Sequence, residues 1–178
     1  TVDEVPDSSW FTNRVALGPS RGEWTNERLV KGPDTVGPSG DLTIVSGKME
    51  GRSPGFIVRD GTGTQYFIKF DPITNPEMAT GADHIAIRLV YALGYHVPDN
   101  YIVEFSEDML VLGEDVKLAD RLGRRRGMSR RDITEMLLKA PKQANGRYRA
   151  TASRAISGKG VGPYRYNGTR RDDPNDYV

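Results

Sequence analysis

The sequence predicts an α+β fold: an antiparallel sheet of about five strands with one packed helix, plus a second helix and long irregular arms. Three observations carry that expectation. Two runs suited to strands, 56–60 and 64–70, flank a Gly61-Thr62-Gly63 turn, which is a hairpin signal. Apolar residues then recur at helical spacing between 80 and 93. Finally, 20 glycines and 11 prolines among 178 residues favour many turns over a helical bundle.

Residues 1–40 read as an extended N-terminal arm. They show no sustained period, and Trp10 and Phe11 are aromatic anchors able to pin the arm onto a core or a partner. "DLTIVSG" (41–47) is the first strand, because its apolar residues are interleaved with β-branched ones. "SGKMEGRSPG" (46–55) is a glycine-punctuated loop leading into the hairpin. On the returning strand Tyr66, Ile68 and Phe70 share one face, and Gln65, Phe67 and Lys69 the other. Lys69 therefore lies on the more polar side of the sheet.

The segment "NPEMATGADHIAIRLVYALGYHVP" (75–98) is the clearest helix. Thr80 is its expected N-cap with Asp83 three residues on, and Gly94 is the expected stop. Its apolar positions nearly encircle it, so burial on more than one side is expected. Two further strands, 100–105 and 109–113, complete a core spanning 41–113. Residues 114–178 form a basic region with one helix at 129–141, capped by Ser129 with Asp132 at the third position, and an irregular tail bearing Tyr164 and Tyr166.

Charge is unevenly spread. Residues 1–114 hold 9 Lys/Arg and 17 Asp/Glu, whereas 115–178 hold 16 and 7. Such a chain suits two faces with different partners, or halves that dock on each other. The run "RLGRRRGMSRR" places Arg124, Arg125, Arg126, Arg130 and Arg131 where they could meet an acidic protein patch, phosphates, or anionic lipid headgroups reached through a partner. No aromatic residues interleave with them, which argues against stacking on single-stranded nucleic acid.

Several classes are excluded or disfavoured. The absence of cysteine removes disulfides, thiolate metal sites and a cysteine nucleophile. With His84 and His96 the only histidines, a dedicated zinc site is not expected. No apolar stretch approaches the roughly 20 residues that span a bilayer. The chain starts at Thr1 and runs to "DDPNDYV" without a terminating feature, so it reads as a piece of a longer product.

The order of strand, glycine loop, lysine-bearing strand, helix and two strands resembles the N-terminal lobe of the protein-kinase-like superfamily. The nearest likeness is to the HipA-type and lipid-kinase-like branch, with "YFIKF" where those kinases carry their nucleotide lysine. The likeness covers about residues 41–113. Over nearly the whole chain, "DEVPDSSWFTNR", "EMATGAD", "ALGYHVPDNYIV" and "GPYRYNGTRRDDPND" resemble a group of uncharacterised bacterial exported proteins, which implies an extracytoplasmic place.

The resemblance implies that Lys69 meets the phosphates of ATP bound with magnesium, held by a carboxylate of the following helix. Asp83 is the first choice for that carboxylate and Glu77 the second. Lys48, Gly47 and Gly51 would belong to the glycine loop over the phosphates. The loop departs from both the kinase glycine pattern and the Walker A pattern, since Lys48 is followed by methionine. A working kinase also needs a catalytic aspartate, a metal-binding asparagine and a second metal aspartate, and no H-R-D-like or D-F-G-like segment exists here.

The favoured expectation is therefore a catalytically incomplete kinase-like domain acting as an accessory or assembly subunit of a larger protein complex. The alternative is the nucleotide-binding half of an ATP-dependent kinase whose catalytic lobe lies elsewhere. A basic-surface nucleic-acid binder is the third reading. Against all three stands the plain view of Lys69 as a strand lysine pairing with Asp71 or Asp83.

Overall fold

A computed structural model describes residues 6–14, 25–31, 36–48, 55–119 and 124–158. Its strands are β1 (Leu42–Lys48), β2 (Gly55–Arg59), β3 (Gln65–Phe70), β4 (Asn100–Phe105), β5 (Leu110–Ala119), β6 (Arg125–Gly127) and β7 (Tyr148–Arg154). Its helices are α1 (Asn26–Lys31), α2 (Met78–Ala92) and α3 (Arg130–Leu137). The α+β class is as expected, but the sheet has seven strands rather than five, in the order β4-β7-β3-β2-β1-β5-β6. Its pairs are antiparallel except β1 with β5.

The two additional strands come from the part expected to be irregular. β7 is inserted between β3 and β4, so residues 148–154 form an interior strand one place from the β4 edge. β5 also continues well past its expected end at 113. Ile44 pairs with Leu112 but Ser46 with Lys117, so β5 bulges there, and Asp115 takes a left-handed φ of 49°.

By its contacts the chain groups into two units, Thr35–Ile85 with Pro98–Ala155, and Thr1–Asp34 with Ala86–Val97 and Ile156–Val178. The first holds the sheet and α3. Its core is built from alternate residues of the strands, among them Ile44, Phe56, Val58, Ile68, Phe70, Phe105, Leu110 and Leu118, closed by Ile133, Met136 and Leu137 of α3. Burying each large apolar side chain is worth about 1.5–3 kcal/mol, so this layer dominates the stability of the sheet unit. On β3 Tyr66, Ile68 and Phe70 are buried while Phe67 and Lys69 are exposed, the alternation read from the sequence.

The β2–β3 hairpin is tied by Asp60. Its carboxylate accepts hydrogen bonds from Thr62 N at 2.9 Å, Thr62 Oγ1 at 2.6 Å, Thr64 N at 3.0 Å and Ser39 N at 3.2 Å. Burial alone would raise this carboxyl, but those donors outweigh it and hold it below its ordinary value. Gly63 supplies the left-handed residue of the turn at φ 84°.

In the second unit, Trp10, Phe11 and Tyr95 form a ring cluster with centroids 5.2–5.9 Å apart. Gly94 has φ 113°, and a side chain there would collide with the Phe11 ring and Thr12 O, so the expected helix stop is confirmed twice over. Arg14 lies 4.0 Å above the Tyr91 ring and donates to Tyr91 O at 2.9 Å.

Helix α2 departs from expectation in two ways. It begins at Met78, so Thr80 lies inside the first turn rather than at the N-cap. It is also not surrounded: Thr80 is its only buried residue among those described, and Ile85, Leu89 and Val90 are exposed.

Candidate functional site

Lys69 leaves β3 on the face opposite the core. Its Nζ lies 3.9 Å from Asp83 Oδ2, with the two side chains 59% and 49% exposed. Of the carboxylates named for this role, Asp83 is the one that the fold brings within ion-pair distance. It lies one helical turn after Thr80, on the side of α2 that meets the sheet. Glu77 is elsewhere, and the buried Asp71 pairs instead with Arg149 at 3.6 Å. An exposed pair at that distance is worth at most about 1 kcal/mol, so Lys69 can exchange its partner cheaply.

The position beside Lys69 on β2 is a buried glycine that carries no side chain. Gly55 is the register partner of Lys69 on β2, and Lys48 at the end of β1 is in turn the partner of Gly55. A side chain at Gly55 would run into Ile68 O, so glycine is required and no atom beyond the main chain stands next to Lys69 there. Gly47 has a different reason to be glycine. A Cβ at that position would lie 2.8 Å from Leu118 Cδ1 and Met128 Sδ, so its role is packing on the core side rather than approach to a phosphate. Gly51, Tyr164 and Tyr166 lie outside the described residues.

The first turn of α2 is held by a polar cluster that sequence reading missed. Asp71 Oδ1 accepts from Thr80 N and Oδ2 from Thr80 Oγ1, both at 2.7 Å, and Arg149 of β7 donates to Thr80 Oγ1. Asp71 is thus a helix cap supplied from the end of β3. The only local signal was an aspartate directly after an apolar strand. Beside this cluster lies a cavity of about 450 Å³ lined by Asp71, Glu77, Lys142, Gln143, Asn145 and Arg149 together with prolines 76 and 141.

The arginine run is largely committed within the chain. Arg126 clamps Asp132, Nη1 donating to Oδ2 at 2.9 Å and Nη2 to Oδ1 at 2.5 Å. Arg130 donates to Leu110 O and, at 3.4 Å, to Glu107 O, and Arg131 pairs with Glu135 at 2.9 Å. Arg124 and Arg125 are exposed. The Arg126 hydrogen bonds hold the Asp132 carboxyl far below its ordinary value; burial opposes them and Ser129 adds to them. Trp10 and Phe11 are likewise engaged within the chain, by Tyr95.

Among the described residues no three His, Asp or Glu side chains converge as a metal ion would need, and no helix is long and apolar enough to cross a membrane. Comparison of the chain with family models, curated proteins and solved structures gives no match.

Proposed function

We propose that this chain is the nucleotide-phosphate-holding half of a kinase-like site, catalytically incomplete by itself. The observation that supports the reading is the approach of Lys69 on β3 to Asp83 on α2. A phosphate needs cationic and N–H donors without crowding, and an exposed ammonium loosely held by one carboxylate meets that need. Bound ATP would supply the transferable phosphoryl group with its magnesium. The chain's own contribution would be the Lys69 ammonium, kept in place by Asp83. The catalytic aspartate and the metal ligands would come from outside the described residues.

Thermal unfolding in millimolar MgATP tests this directly. The wild-type midpoint is expected to rise, because a ligand of the folded state stabilises by mass action, and Lys69→Ala is expected to abolish the rise. An equal rise in both proteins, or none in the wild type, would remove the proposal.

A second reading, the accessory or assembly subunit, is favoured by a separate observation. Ile85, Leu89 and Leu93 follow one another at helical spacing and are 62%, 48% and 60% exposed. A stripe of that kind is the usual form of a helix that docks on another protein. Native mass measurement with an Ile85→Asp variant checks it. Loss of a heavier species in the variant supports the subunit reading, and a monomeric wild type at native abundance removes it.

A further inference from the structure

We infer that the cavity beside the α2 anchor binds a small zwitterion, of amino-acid to dipeptide size, independently of the Lys69 site. The cavity has a volume of about 450 Å³, and neither Lys69 nor Asp83 lines it. Its charges are sorted by wall. Asp71 and Glu77 come from the segment joining β3 to α2, and Lys142 and Arg149 from the loop after α3 and from β7. The two acids and two bases leave the lining formally neutral, which disfavours a simple anion or cation and suits a molecule carrying one charge of each sign.

Not all four charges are equally available. Asp71 is spent on Thr80 and Arg149, and Arg149 is shared between Asp71 and Thr80. The Glu77 carboxylate has no hydrogen bond or ion pair among the described residues. Among the described residues Lys142 is engaged only by the Tyr148 ring, 5.4 Å from its Nζ. Glu77 and Lys142 are therefore, among the described residues, the two lining charges with no opposite charge beside them, placed to meet an ammonium at the first and a carboxylate at the second. Gln143 and Asn145 line the same cavity with their side-chain amides. Asn145 Oδ1 already accepts from Arg147 N at 2.9 Å, and Gln143 Oε1 is buried without a partner.

The backbone gives independent support. Glu77 has φ 66°, a left-handed conformation that a glycine would hold without penalty. Residues held in such conformations cluster at ligand-binding positions, where the surrounding structure fixes them. Here the strained residue is also the one that contributes to the cavity a carboxylate unpaired among the described residues.

The test is a titration followed by the side-chain amide NMR signals of Gln143 and Asn145. The probes are L-alanine and L-alanyl-L-alanine, with acetate and methylammonium as single-charge controls. One or both zwitterions are expected to give saturable shifts, with each control weaker by about tenfold, as one lost charge-assisted contact implies. Glu77→Gln and Lys142→Ala should each weaken zwitterion binding by a similar factor while leaving the MgATP response unchanged. Glu77→Gly should raise the melting temperature of the free protein and abolish zwitterion binding, a pair of effects that a merely structural glutamate would not give. Equal binding of acetate and the zwitterions, unchanged binding in Glu77→Gln, or no saturable shift with either zwitterion would each overturn the inference.

Discussion

Helix α3 turns Ile133, Met136 and Leu137 into the core, whereas α2, with 15 residues against 8, buries only Thr80. The two are held by different forces. α3 has an amphipathic pattern and a local capping box at Ser129 and Asp132, and its place follows from burial. α2 is fixed in the sheet unit by a few directional bonds, from Asp71 and Arg149 to Thr80, and it presents Asp83 to an exposed lysine. Burial gives a stable position. A few polar contacts give a position that a ligand can reinforce or release, which is what a helix carrying a site residue needs.

The largest effect should come from cutting into the buried helix. Ile133→Ala is expected to cost about 2–5 kcal/mol by urea unfolding, while Leu89→Ala on α2 should stay within about 1 kcal/mol. Comparable losses for both would show that α2 is packed after all and would erase the contrast. Asp71→Ala should follow at about 3 kcal/mol, because it leaves the Arg149 guanidinium, 15% exposed, without its carboxylate. Its particular signature should be faster amide exchange in the first turn of α2 and unaltered exchange in α3.

A pH titration sharpens the difference further. Asp132 has its folded-state pKa depressed, chiefly by Arg126. Its contribution is therefore fully present above the unfolded carboxyl value of about 3.9 and is lost as pH falls below it. Wild-type stability should drop more steeply below about pH 4 than that of Asp132→Asn, which lacks this component. Parallel slopes would mean that the Arg126 clamp contributes nothing. The smallest expected effect is that of Lys69→Ala on the free protein, within about 1 kcal/mol, since the pair with Asp83 is exposed.

How much of this was legible beforehand varied with the range of the interactions. The alternation on β3 was readable because period 2 is a local property, and so was the α3 cap, whose partners are three residues apart. The cap of α2 was not, because Asp71 is nine residues from Thr80 and Arg149 is 69. β7 escaped because its inward residues include Ala150 and Ala152, which have weak strand preference, and their fit depends on neighbours from β3 and β4. β5 was expected to end at 113, because its continuation across the bulge at Asp115 depends on pairing with β1, which is not a local property. The Lys69–Asp83 approach was legible as residue types and order, with Asp83 the first choice and Glu77 the second, and the fold brings Asp83 to the lysine.

The role of Lys69 is best tested by its own amine. Acylation of Lys69 by a water-soluble active ester can be followed by peptide mass spectrometry with and without MgATP, using the exposed Lys139 as the internal reference. Selective protection of Lys69, lost on adding the Asp83→Ala substitution, is the expected result. Unchanged labelling of Lys69 at saturating nucleotide would contradict a phosphate-holding role and leave the lysine as an exposed strand residue paired with Asp83.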